Sequence, residues 1–127
     1  MSAKILVVDD NSTNLKLVSD LLESKGYEMY KAMDAEDAQV VLADMLPELI
    51  LMDIALPGMD GLTLTRLLKA DERTRHIRII ALTAFAMKAD DLKAFDAGCD
   101  GYITKPIDTR ELPRQIAEFL ATEAPKP

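Results

Sequence analysis

The amino-acid sequence predicts an α/β fold, a doubly wound parallel sheet with helices on both faces. Three observations carry that prediction. Short continuous apolar runs occur at 5–8, 49–52 and 79–82, as strands buried on both faces require. Segments with apolar residues at helical spacing lie between such runs. The two kinds alternate, and strand–helix–strand order implies right-handed crossovers between parallel neighbours.

Taken in chain order, Ile5-Leu6-Val7-Val8 forms the first strand. Leu15, Val18, Leu21 and Leu22 then make one face of a helix, with Asn11 and Ser12 available as its cap. Residues 27–32 mix polar and apolar side chains and suit an edge strand. Asp34 precedes the stripe Ala38, Val41, Leu42, Met45 and is placed to cap it. After the run at 49–52, Leu64, Leu67 and Leu68 mark a third helix. A fourth strand follows at 79–82, then a helix over 86–97 with Leu92 and Phe95 three apart, closed by Gly98. Residues 101–104 make the fifth strand. Leu112, Ile116, Phe119 and Leu120 make the last helix; Asp108 and Glu111 resemble a capping box, and Pro113 moves its start a residue or two later.

The chain of 127 residues is of single-domain length. We expect one domain over 1–123, a frayed tail at 124–127 and no output domain. Apolar residues make up 49% and no apolar run approaches the roughly 20 residues of a membrane span, so membrane insertion is not expected. The first apolar run is too short for a signal peptide. The single cysteine, Cys99, excludes an internal disulfide and a cysteine-based metal site. These features predict a cytoplasmic protein. A net charge of −7 disfavours direct nucleic-acid binding. Acidity alone identifies no partner.

In open parallel sheets, ligands bind beyond the carboxyl ends of the strands. Past the first run stand Asp9 and Asp10, past the third Asp53, past the fourth Thr83, and past the fifth Lys105-Pro106. A lone aspartate after a strand is usually a cap or turn residue. Independent caps, however, give no reason for three acids and an opposing lysine to share one rim. Carboxylates about 4 Å apart repel by roughly 4 kcal/mol per pair at an effective dielectric near 20. A cation or protonation must relieve that crowding. An all-oxygen acidic site with few protein ligands suits Mg²⁺ (or Mn²⁺), which completes its shell with water and phosphate oxygens. Lys105 adds a fixed charge for the same phosphate, and a carboxylate can act as nucleophile to give an aspartyl phosphate. The rim therefore points to phosphoryl chemistry.

At these residues the sequence resembles the receiver domains of two-component response regulators over nearly its whole length. The resemblance rests on Val8-Asp9-Asp10-Asn11, on Leu51-Met52-Asp53 through Leu56-Pro57-Gly58-Met59-Asp60-Gly61, on Ala81-Leu82-Thr83-Ala84 and on Tyr102-Ile103-Thr104-Lys105-Pro106. The longer wording is similar to single-domain receivers of the DivK type. The resemblance implies a flavodoxin-like (βα)5 sheet of order 2-1-3-4-5. It implies Asp53 as phosphoacceptor, with Asp10, Asp53 and the carbonyl of Ala55 as Mg²⁺ ligands and Asp9 holding the ion through water. Lys105 then matches the cation paired with the phosphoryl group, Pro106 the proline after a cis peptide, and Thr83 and Tyr102 the switch pair. A histidine kinase or a histidine phosphotransfer protein would be the donor, and a downstream protein the target. In the family, the residues two past the phosphoacceptor and two past the threonine face the attacking water. Here they are Ala55 and Phe85, neither with a hydrogen-bonding side chain, so slow self-dephosphorylation is implied.

Other readings of the same residues fit less well. A stand-alone aspartyl phosphatase or phosphotransferase acting on small substrates needs an acid/base carboxylate two residues past the nucleophile, where Ala55 stands. A flavin site needs a hydroxyl- and glycine-rich phosphate loop, which Asp9-Asp10 replaces. A non-phosphorylated scaffold leaves the complete set of rim residues without a purpose. Self-phosphorylation and self-dephosphorylation are expected, without turnover of separate substrates. His76 with Arg73, Arg75 and Arg78 reads as a solvated loop, Cys99 as a packing residue, the methionines (Met29, Met45 and Met52 among them) as core filler, and Met59 and Met87 as candidate interface residues.

Overall fold

The β-branched and leucine-rich runs become the centre of one sheet because nothing polar interrupts them where both faces are covered. The computed structural model describes residues 3–54, 56, 58–83 and 97–121. The strands are β1 (Lys4–Val8), β2 (Glu28–Ala32), β3 (Leu49–Asp53), β4 (Arg78–Thr83) and β5 (Gly101–Thr104). All neighbouring pairs are parallel, in the order β2-β1-β3-β4-β5. The weakly patterned second run lies at an edge, as its mixed composition requires.

The described helices are α1 (Ser12–Glu23), α2 (Ala35–Asp44), α3 (Gly61–Ala70) and α4 (Leu112–Ala121). Asn11, Asp34 and Asp60 cap the first three, each accepting from the backbone N–H three residues on. Two apolar layers result. Leu6, Val8, Ile50, Met52 and Ile79 face α2 and α3, whereas Ile5, Val7, Leu51, Ile80 and Leu82 face α1 and α4. Alternate residues of each strand thus feed opposite cores.

Several details depart from the sequence reading. Leu67 is exposed, because Leu64, Thr65 and Leu68 already fill the buried side of α3. Met29 and Met45 are half-buried at the margins of the core, unlike Met52. Asp108 does not form a capping box: its carboxylate accepts from Arg110 N–H at 2.9 Å, and Glu111 pairs with Arg114. The last helix begins at Leu112, one residue before Pro113, since a proline within the first turn removes no helical hydrogen bond. The arginine cluster is less solvated than its composition suggests, since the Arg73 guanidinium donates to the Leu42 carbonyl and Arg75 and Arg78 are half-buried.

The helix expected over 86–97, with Phe85 and Met87, falls almost wholly outside the described residues, as do Ala55, Pro57 and the tail. Among the described residues, no helix is long and apolar enough to cross a membrane.

Candidate functional site

Parallel pairing brings the strand ends to one rim. Val8 is in register with Met52, and Asp53 with Leu82. Asp9 N–H continues the β1–β2 ladder by donating to Ala32 O at 3.0 Å, and Lys105 N–H donates to Thr83 O at 2.7 Å. The backbone therefore places Asp9, Asp53, Thr83 and Lys105 before any side chain acts.

The side chains then converge. Asp9, Asp10 and Asp53 each offer a carboxylate oxygen, and these oxygens lie within 4.8 Å of one another. Asp9 is fully buried and Asp53 nearly so, while Asp10 faces solvent. The expected crowding is present, and Lys105 relieves part of it. Its ammonium lies 3.0 Å from Oδ2 of Asp53, a hydrogen-bonded ion pair, and 3.0 Å from Oδ2 of Asp9. The second approach has the distance of an ion pair but not the alignment of a hydrogen bond, so Asp9 Oδ2 has no directed donor. Asp9 Oδ1 is satisfied by Asn11 N–H at 2.9 Å. Burial disfavours the Lys105 charge, but the hydrogen bond to Asp53 and charge attraction to both Asp9 and Asp53 outweigh it and hold its pKa above the ordinary lysine value.

One cation against three acids leaves the site short of positive charge. A buried carboxylate oxygen without a donor, beside two further carboxylates, fits an added hard cation bound through oxygen. The acidic cluster can hold a metal ion.

Nearby elements shape the rim. A Cβ at Gly61, the first residue of α3, would come within 2.1 Å of the Asp53 carbonyl oxygen. Only a residue without a side chain lets the helix start there. The Lys105–Pro106 peptide is cis, as expected. Thr83 is buried at the end of β4, and Tyr102 is half-buried in β5 against the α2/α3 core. Two features escaped sequence reasoning. Lys105 bridges two carboxylates, which no spacing reveals. The constraint on Gly61 was signalled by a glycine in a first helical turn, where most residues would serve better.

The chain matches the response regulator receiver domain over residues 5–117. It is a member of the response regulator receiver family. This receiver is 42% identical over 120 residues to the polar-differentiation response regulator DivK of Brucella ovis, covering 94% of this chain and 98% of that protein. It superposes on a putative response regulator from Chloroflexus aurantiacus with a TM-score of 0.90 at 30% identity, over 96% of this chain and 100% of the other. The receiver domain of sensor histidine kinase PA1611 from Pseudomonas aeruginosa gives a TM-score of 0.86 at 34% identity, over 96% and 100% of the two chains. That structure holds a magnesium ion coordinated in its active site cleft. The receiver is thus a two-component signalling domain with a flavodoxin-like fold, and the small-substrate phosphatase reading is not favoured.

Proposed function

We propose that Asp53 accepts a phosphoryl group from a partner's phosphohistidine, and that Mg²⁺ (or Mn²⁺) bound by Asp10 and Asp53, with Asp9 behind them, assists. The observation that carries this reading is the convergence of three carboxylates within 4.8 Å on an ammonium 3.0 Å from Asp53. Ala55, the carbonyl ligand the resemblance implies, lies outside the described residues.

Asp53 Oδ attacks phosphorus in line with the leaving imidazole. The P–O bond forms, the P–N bond breaks, and the imidazole departs with its electron pair and takes a proton from solvent. A metal ion held by Asp10 and Asp53 would supply positive charge to neutralise the phosphoryl oxygens. Lys105, already beside Asp53 Oδ2, pairs with the incoming group and orients it. Thr83 offers its hydroxyl from the next strand, and Tyr102 follows by repacking. By analogy with phosphoserine, the phosphoryl group carries about −1.5 to −2 charge; since it replaces the charge of the Asp53 carboxylate, the site gains about −0.5 to −1 net along with strong acceptors, enough to bias a two-state surface.

The partners fitting this reading are a histidine kinase or histidine phosphotransfer protein and a downstream protein target. A groove of about 590 Å³ lined by Thr13, Lys16, Leu17, Asp20, Leu21 and Thr109 gives such a donor an apolar seat on the α1 side. Labelling by acetyl phosphate tests the reading: wild type should be labelled in Mg²⁺, whereas Asp53→Asn should not. Undiminished, Mg²⁺-dependent labelling of Asp53→Asn would overturn it.

A further inference from the structure

A second charged cluster lies at the far end of β4 and β5. The Lys69 ammonium, on the last turn of α3, donates to Ile77 O at 2.8 Å and approaches Arg75 O at 3.4 Å. It also lies 2.9 Å from Oδ2 of Asp100. The same Oδ2 accepts from Ile79 N–H at 2.8 Å, and Asp100 N–H donates to Ile79 O at 2.7 Å. The Lys69 side chain is only 16% exposed and that of Asp100 30%, which separates this pair from the exposed ion pairs of α1 and α4. Gly98, at φ 108°, packs on the Lys69 stem, where an added Cβ would stand 2.8 Å from Cγ.

The placement of this cluster gives it a consequence at the rim. Asp100 immediately precedes β5, which carries Tyr102 and leads into Lys105. Lys69 closes α3, whose first residue, Gly61, is pressed against the Asp53 carbonyl. A closed circuit results: Asp53 to Gly61, along α3 to Lys69, across to Asp100, along β5 to Lys105, and back to Asp53. Helix and strand are stiff, so a shift where Lys69 meets Asp100 is carried to Lys105 instead of being absorbed between them.

We propose that Lys69 and Asp100 are positioning residues for the phosphoryl site. Their pair fixes where β5 stands along β4 and α3, and so where Lys105 and Tyr102 stand relative to Asp53. The proposal rests on the phosphoacceptor reading above. Its effect falls mainly on the Lys105 side of the site: Asp9 and Asp10 hang from β1, and Asp53, although Gly61 bears on its carbonyl, is held in β3 between β1 and β4.

That asymmetry supplies the test. Lys69→Met keeps the stem against Gly98 and removes the ammonium; Asp100→Asn keeps an acceptor for Ile79 N–H and removes the charge. Wild type, both variants, their double and Lys69→Arg are titrated with Mg²⁺ alone, then with beryllofluoride as a phosphoryl mimic in saturating Mg²⁺, below their unfolding temperatures. The expected result is Mg²⁺ affinity no weaker than wild type, with beryllofluoride binding roughly threefold to tenfold weaker in each single variant. The double should be no worse than the weaker single, and Lys69→Arg should recover most of the loss. Lower melting temperature with both affinities intact would reduce the pair to a structural clamp and overturn the proposal. Equal losses of Mg²⁺ and beryllofluoride affinity would overturn it too, as general distortion. Wild type that binds Mg²⁺ but takes up neither beryllofluoride nor acetyl phosphate would instead remove the phosphoacceptor reading beneath it.

Discussion

Gly61 stands so close to Asp53 that a single added carbon would lie 2.1 Å from the Asp53 carbonyl oxygen. The helix that follows the candidate nucleophile is therefore seated directly on that residue's backbone. Gly61→Ala must push either α3 or the end of β3 aside, although alanine is the better helix former. The expected loss is about 1–3 kcal/mol of stability by overpacking, with slower acetyl phosphate labelling. Denaturant melts and labelling rates check it; a more stable, fully active Gly61→Ala would show that the contact yields freely.

Lys105 and a metal ion compete for the same carboxylates. Removing the ammonium in Lys105→Met should tighten Mg²⁺ binding by about thirtyfold, the equivalent of roughly 2 kcal/mol of unscreened repulsion between a unit and a divalent charge 4 Å apart in water. Asp10→Asn should weaken it while leaving the fold intact, since Asp10 is exposed. Opposite signs in two Mg²⁺ titrations are the expected outcome, and equal signs would contradict the electrostatic account.

Cys99 is buried, and burial chiefly, opposed by the Thr65 contact, pushes its thiol from 9.0 up to about 11. The folded state keeps a proton that the unfolded chain releases, so stability is whole below pH 9 and declines as pH rises toward 11. Lys105, also raised, adds a loss above the ordinary lysine value of 10.5. Cys99→Ala should flatten the part of the stability profile between pH 9 and 11, and the wild-type thiol should resist thiol reagents at neutral pH until the protein unfolds.

Asp60 caps α3 by accepting from Thr63 N–H at 2.8 Å, and that bond holds its carboxyl below the usual 3.8. Its contribution is present at neutral pH and is lost as pH falls below the unfolded value toward the lower folded one. Asp60→Ala should cost about 1 kcal/mol at pH 7. The difference between variant and wild type should narrow in acid melts.

On the proposed reading, the two positions that the family turns toward the attacking water carry Ala55 and Phe85, whose side chains have no hydrogen-bonding group. The phosphorylated protein should therefore hydrolyse slowly, and Ala55→Glu or Phe85→Asn should change the rate more than they change labelling. A half-life of seconds in the isolated wild type would contradict this.

Much of the molecule was legible in advance for a physical reason. Apolar runs such as Ile5–Val8 can be buried on both faces only in a central parallel strand, and strand ends in such a sheet share one rim. Asp9, Asp53, Thr83 and Lys105 were therefore foreseeable as neighbours, as was the cap at Asp34. Asp108 departs from the expected capping box because its side chain turns to Arg110 instead of joining Glu111, a choice between local partners of similar strength.

The linear order of residue types determined the layering, the strand order expected of the family and the acidic rim, because periodicity and burial are encoded locally. Folding in three dimensions decided the rest: that Lys105 reaches Asp9 and Asp53 together, that Gly61 bears on Asp53, and that Lys69 meets Asp100 across 31 positions. Such contacts join elements remote in the chain. Their existence depends on how helices seat on the sheet, which no single segment specifies.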